Sequence, residues 1–307
     1  GTHSLWGAIY LTTPGTTAGD RYRLAIQMSG KTLITIRGVA TVDENPQSPT
    51  YGEMTTEFKN LPDIPFEAME VELAGVKSGV QTLPLLLNPE NADTGNTRSV
   101  TASADITAWS GQSRTGGSAP TSNLDVLAGT AKPFAPTFSS SFSTHESGKH
   151  PNTEFNYTRN DGDQDIQSVK MSLPAGFMGS AAAVPLCSLS DAAAGTCASA
   201  SKVGTVDVSV GQFGKSLALE GELFLTAGAG GDIAGMSIKL PAEAGPYTLG
   251  NYTTQGRIVV RTADHGIDAF FAEVPRMYKG VPTHIQSMKV KMDGVAQSGK
   301  PLLFNSS

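Results

Sequence analysis

Apolar and polar residues alternate one by one along several stretches of this chain. Met69, Val71 and Leu73 interleave with Glu70 and Glu72, and Val169, Met171 and Leu173 with Lys170 and Ser172. Val206, Val208 and Val210 alternate with Asp207 and Ser209, and Met288, Val290 and Met292 with Lys289 and Lys291. A period of two with one apolar face predicts antiparallel strands that bury one face and wet the other. Turn-forming clusters separate these runs: Asn160-Asp161-Gly162-Asp163, residues 227–232, Asp264-His265-Gly266 and Asp293-Gly294. Short strands with regular turns predict an all-β protein of Ig-like antiparallel β-sandwiches rather than parallel α/β layers. One stretch departs from the pattern. Residues 188–194 read as a short helix, with Ser190 as candidate cap, Ala192 to Ala194 as helix formers and Gly195 as its stop.

The breaks between these runs suggest the domain layout. Residues 111–122 form a Gly/Ser/Thr-rich loop, and Lys132-Pro133-Phe134-Ala135-Pro136 reads as an extended connector, since residues before proline avoid the helical region. Residues 139–149 are polar. Two tandem β-sandwich modules are expected, 1–133 and 134–307, the second carrying the helix.

Composition narrows the class. Only 16% of the 307 residues are charged, against roughly 25% in an ordinary soluble domain. Gly (34), Pro (18), Ser (29) and Thr (31) supply much of the rest. That is not a helical bundle, and 39% apolar residues with a net charge of −6 is not the signature of disorder. The 22 basic residues are scattered singly, which argues against nucleic acid as a partner. The longest apolar run, residues 83–87, is interrupted by Pro84 and far too short to insert in a membrane. The chain starts Gly1-Thr2-His3-Ser4 without a start Met or signal peptide, as expected of a mature or excised piece of a longer precursor.

Cys187 and Cys197 enclose the helical stretch and suit a local disulfide, stabilising by about 3 kcal/mol through loop entropy. Two buried thiols in a reducing compartment are the alternative reading. Asp161, Asp163 and Asp165, at alternate positions, either hold a calcium ion or form an acidic, hydrogen-bonded turn; the glycine and twelfth-position glutamate of an EF-hand are missing. Apart from that calcium, no cofactor is expected. The histidines (3, 145, 150, 265 and 284) follow no metal-ligand spacing, and neither a nucleophile elbow nor a phosphate loop is present, so no catalytic residue is assigned.

An ordered motif series carries a family resemblance. It runs Asn160-Asp161-Gly162-Asp163-Gln164, Leu173-Pro174-Ala175-Gly176, Val184-Pro185-Leu186-Cys187, Gly195-Thr196-Cys197, Ser201-Lys202-Val203-Gly204-Thr205-Val206 and Gly245-Pro246-Tyr247-Thr248-Leu249-Gly250. With the stretch ending in Ile64-Pro65-Phe66, Trp109-Ser110-Gly111 and Pro133-Phe134-Ala135-Pro136, this series resembles secreted repeat proteins of actinobacterial surfaces, a family of uncharacterised function. The resemblance implies a secreted, multi-module β protein and no catalytic residues. Family repeats often carry further cysteines near positions 85–88 and at the end, where this chain has none.

The expected function is therefore non-enzymatic: an extracellular or cell-surface building block of a fibre, sheath or adhesin, self-associating through strand edges or terminal strands. Leu5, Trp6 and Ile9 at one end and Leu302, Leu303 and Phe304 at the other are the candidate assembly residues. A carbohydrate- or cell-wall-binding module is the alternative, with Trp6, Trp109, Tyr247, Tyr252 and Tyr278 as sugar-stacking candidates.

Overall fold

The computed structural model describes residues 4–13, 15, 22–30, 33–63, 68–73, 76–78, 81–83, 97–127, 132–212, 215–244, 247–279 and 281–305. His3, Ile64-Pro65-Phe66, positions 85–88 and Gly245-Pro246, singled out above, lie outside the described residues, as does the side chain of Tyr247. The chain is almost entirely β and divides into two units, one of Gly1–Phe58 with Ala135–Ser307, the other of Lys59–Phe134.

Among the described residues the larger unit holds two large sheets and two short two-stranded pairs, Phe177–Gly179 with Leu303–Asn305 and Met277–Tyr278 with Val281–Pro282. The first large sheet has four antiparallel strands in the order β1(Trp6–Thr12), β2(Tyr22–Ser29), β3(Ile34–Val42) and β4(Met54–Phe58). Its register sets Ile9 opposite Ile26 and Ile26 opposite Ile36, so one face is an apolar row. Ile26, Ile36 and Ala40 are buried on that face. Gly52 follows β3 with a left-handed φ of 84°, where a Cβ would meet Met277 Sδ at 2.5 Å. The neighbouring Tyr51 Oη donates to the Met277 carbonyl at 3.3 Å.

The second sheet has nine strands: β5(Thr137–Phe142), β6(Thr153–Thr158), β7(Val169–Ser172), β8(Lys202–Gln212), β9(Lys215–Thr226), β10(Ala234–Ala244), β11(Tyr247–Val260), β12(Ile267–Phe271) and β13(Ile285–Met292). Their order is β5-β6-β13-β8-β9-β10-β11-β12-β7, antiparallel throughout. The alternation read at Val206/Val208, at Val169/Met171 and at Met288/Val290/Met292 is that of β8, β7 and β13. Val203, Val206 and Leu223 are completely buried, and Leu225, Met236, Ile238, Leu240, Phe271 and Val290 join them in one apolar cluster. Residues from both ends of the order, Phe155 of β6 and Met171 of β7, line the same cavity, so the sheet curls around its core. Each such side chain stabilises the fold by about 1.5–3 kcal/mol relative to exposure.

The other face of β9–β11 carries the helix. Residues directly opposite in adjacent strands share a face, so Phe224, Ser237 and Gln255 point together, away from Leu223 and Ile238. Helix α1(Leu189–Ala194) lies there: Gln255 Nε2 donates to the Leu189 carbonyl at 3.2 Å and Thr253 Oγ1 to that of Ala193 at 3.0 Å. Phe224 and Ser237 on this face are each 2% exposed. Six residues are too few for an independent helix. Ser188, not Ser190, is the cap: its Oγ accepts from the Asp191 amide at 3.1 Å. Ser190 is displaced from that role because the helix already begins at Leu189. Gly195 ends it with φ 70°. The disulfide between Cys187 and Cys197, Cα atoms 5.4 Å apart, closes the loop over the sheet.

In the smaller unit, Arg98–Ser103 pairs with Thr121–Val126, Ile106–Thr107 with Ser113–Arg114, and Val76–Ser78 with Gln81–Leu83. Val126 is its one buried apolar side chain among the described residues. Here one expectation is overturned. Residues 69–73, read as a strand, belong to none, and Met69, Val71 and Leu73 are 53%, 46% and 46% exposed. A strand needs a hydrogen-bonded partner as well as a pattern, and these residues have none among the described ones.

Candidate functional site

The densest buried polar cluster in the described structure lies where the Asp-rich turn meets the start of β13. Arg159, just past β6, withdraws its side chain from water and donates in four directions. Its Nε reaches the Ile285 carbonyl at 2.7 Å, Nη1 the carbonyls of Asn160 and Asp163 at 3.0 Å each, and Nη2 the Asp165 carboxylate at 2.5 Å. His284, in a left-handed backbone conformation with φ 35°, sets Nδ1 3.0 Å from the other Asp165 oxygen. Arg276 Nε stands 3.9 Å away. Burial alone would raise the Asp165 carboxyl, but the His284 hydrogen bond and the charges of His284, Arg159 and Arg276 outweigh it and hold the group below its ordinary value. Nearby, burial pushes the Tyr157 phenol up, and among the described residues its hydroxyl has no hydrogen-bond partner.

Each carboxylate of the Asp161, Asp163 and Asp165 series thus has its own protein partner. Asp161 accepts from Gln286 Nε2, Asp163 Oδ2 from the Asn160 amide at 3.4 Å, and Asp165 from Arg159. Among the described residues no three His, Cys, Asp or Glu side chains form a group able to hold a metal ion. The Arg159 guanidinium bonds both the Asp163 carbonyl and the Asp165 carboxylate within this turn. An Asp–His pair also occurs in hydrolase triads, but among the described residues no hydroxyl or thiol bonds the His284 ring. Chemically, the cluster fastens residues 159–165 to the start of β13.

A second ionic group was not anticipated. Arg261 chelates Asp264 at 2.8 Å and Asp268 at 2.7 Å and donates to the Leu173 carbonyl at 3.0 Å, while Lys170 approaches Asp268 at 2.9 Å. Arg261 holds the Asp264 and Asp268 carboxyls down at about 2, with the Gly266 amide and Lys170 assisting. The sequence signal was the three-residue spacing of Arg261 and Asp264 at a turn; Asp268 and Lys170 arrive only through strand pairing.

Inside the curled sheet is an apolar cavity of about 110 Å³, lined by Met171, Leu225, Met236, Ile258, Met292 and Leu303 among others. Ile233, 65% exposed, stands at its rim.

The candidate assembly residues separate into two situations. Leu302 and Leu303 are 3% and 4% exposed in the chain's own core, and Leu303–Asn305 pairs with Phe177–Gly179. Phe304 packs edge-on against His150, whose Nδ1 lies 3.0 Å from the Leu303 carbonyl. Leu5, Trp6 and Ile9 lie at or just before β1, an edge strand whose partner among the described residues is β2 alone. Trp6 is 80% exposed. Of the sugar-stacking candidates, Trp109 is 72% exposed, while the Tyr252 and Tyr278 rings meet edge to face at 77° rather than forming a flat platform.

No family model matches the chain, and no curated protein or solved structure matches it significantly. Among the described residues no helix is long and apolar enough to cross a membrane.

Proposed function

We propose that this chain is an extracellular structural protein, a self-associating building block of a bacterial surface fibre, sheath or adhesin. The observation that carries the reading is β1. Among the described residues it is an edge strand, exposed along six of its seven residues and bearing Trp6, Tyr10 and Leu11 at 80%, 50% and 54% exposure. An edge with unpaired amides and carbonyls is a template for another chain unless it is blunted, and no Lys, Arg, Asp, Glu or Pro lies within Trp6–Thr12 to blunt it. The Cys187–Cys197 disulfide suits an oxidising exterior, the low charge suits contact between copies, and the motif resemblance to secreted surface repeat proteins points the same way. Sedimentation velocity and negative-stain electron microscopy across a concentration series test it. Concentration-dependent oligomers or filaments are expected, and a monomer at the highest soluble concentration overturns the reading.

The glycan-binding alternative rests on Trp6 and Trp109 as exposed rings. It predicts retention on a glycan array that Trp6→Ala or Trp109→Ala abolishes.

A further inference from the structure

Residues 69–73 have the makings of a strand and no sheet. Their apolar side chains are about half exposed, Glu70 and Glu72 are exposed, and among the described residues none of the five makes a backbone hydrogen bond. Such a segment has one apolar face, one acidic face and, among the described residues, an unpaired ladder. What it lacks is an edge of matching character.

Among the edges of the larger unit, β1 fits best. Gly7, Ile9 and Leu11 belong to the apolar face that continues through Leu24, Ile26 and Ile36, and Leu11 at its margin is 54% exposed. Ala8 and Tyr10 belong to the opposite face, which carries Arg23 and Arg37 on β2 and β3. The other edges fit less well. β4 presents Glu57 on that same face, and β5 has Glu154 one strand in; both would oppose an acidic segment. β7 offers only four residues.

We propose that residues 69–73 of one copy add to β1 of a second copy as an antiparallel fifth strand. With Val71 opposite Ile9, Met69 falls beside Leu11 and extends the apolar row, while Glu72 falls beside Ala8 and Glu70 beside Tyr10 on the arginine-bearing face. The occupant is a second copy because both halves of the match, strand and edge, belong to this chain. Donor and acceptor are different surfaces, so the contact is heterologous and repeats into an open filament unless its rotation closes a ring. The inference rests on the self-association proposed above and names its contact.

Val71→Pro provides the test. It removes a ladder donor from a segment that makes no backbone bonds among the described residues, so the thermal midpoint is expected to stay unchanged. Self-association measured by sedimentation is expected to weaken by roughly tenfold or more. Mixing Ala8→Cys chains with Glu72→Cys chains under mild oxidation is expected to give an interchain disulfide that Ala8→Cys mixed with Ser48→Cys does not. Wild-type assembly that Val71→Pro leaves intact overturns this contact while leaving self-association standing. A wild-type chain that stays monomeric overturns both. A doubly substituted Ala8→Cys/Glu72→Cys chain that closes its disulfide within the monomer also overturns the contact, because the segment then serves its own β1.

Discussion

The Arg159 guanidinium meets the Asp165 carboxylate at 2.5 Å, with the two side chains only 2% and 8% exposed. A charge pair so withdrawn from water is not automatically stabilising, because desolvation opposes the attraction. Here three backbone carbonyls and His284 complete the hydrogen bonding, so the pair is a fastening whose parts depend on one another.

Removing one partner should therefore cost more than removing both. Arg159→Met leaves Asp165 buried beside fewer cations and is expected to lower stability by about 3–5 kcal/mol. Arg159→Met with Asp165→Leu should recover part of that loss. Urea denaturation of wild type, both single variants and the double variant checks the coupling; strictly additive losses would count against it.

Acid should loosen the fold in a defined window. Asp264 and Asp268 titrate at about 2 in the folded chain, below the ordinary value of 3.8, and Asp165 is displaced in the same direction. A carboxyl with a depressed folded pKa contributes stability that is fully present above its unfolded pKa and is lost as pH falls through the folded one. Stability is expected to be flat with respect to these groups above about pH 5 and to fall between about pH 4 and pH 2. Arg261→Gln should flatten that fall, measured by denaturation midpoints across the range.

Reduction should act locally before it acts globally. Replacing both cysteines with alanine is expected to cost about 3 kcal/mol. Amide exchange should accelerate first in residues 189–196, since α1 then retains only its caps and the bonds from Thr253 and Gln255. Uniform acceleration throughout β8–β13 would mean that the loop is not a separable element.

Leu217 and Leu223 share strand β9 and point to the same side, yet Leu217 is 36% exposed and Leu223 0%. Leu223→Ala should cost about 2–5 kcal/mol and Leu217→Ala less than about 1 kcal/mol. Chemical denaturation of the two variants measures the gradient.

Local chemistry was legible in the sequence. The alternating runs of β7, β8 and β13, the short helix stopped by Gly195, and two cysteines close enough to bridge all depend on residues near one another along the chain. Backbone pleat and helix pitch impose those periods whatever the rest of the protein does. The tertiary structure decided what depends on distant residues. It gave Asp165 to Arg159 and to His284, 119 positions away. It buried Leu302 and Leu303 in the core, and among the described residues it left the equally regular residues 69–73 without a strand to pair with. A pattern states which face a strand would bury. Only the closing of long loops, which brings a second strand alongside, decides whether the strand exists.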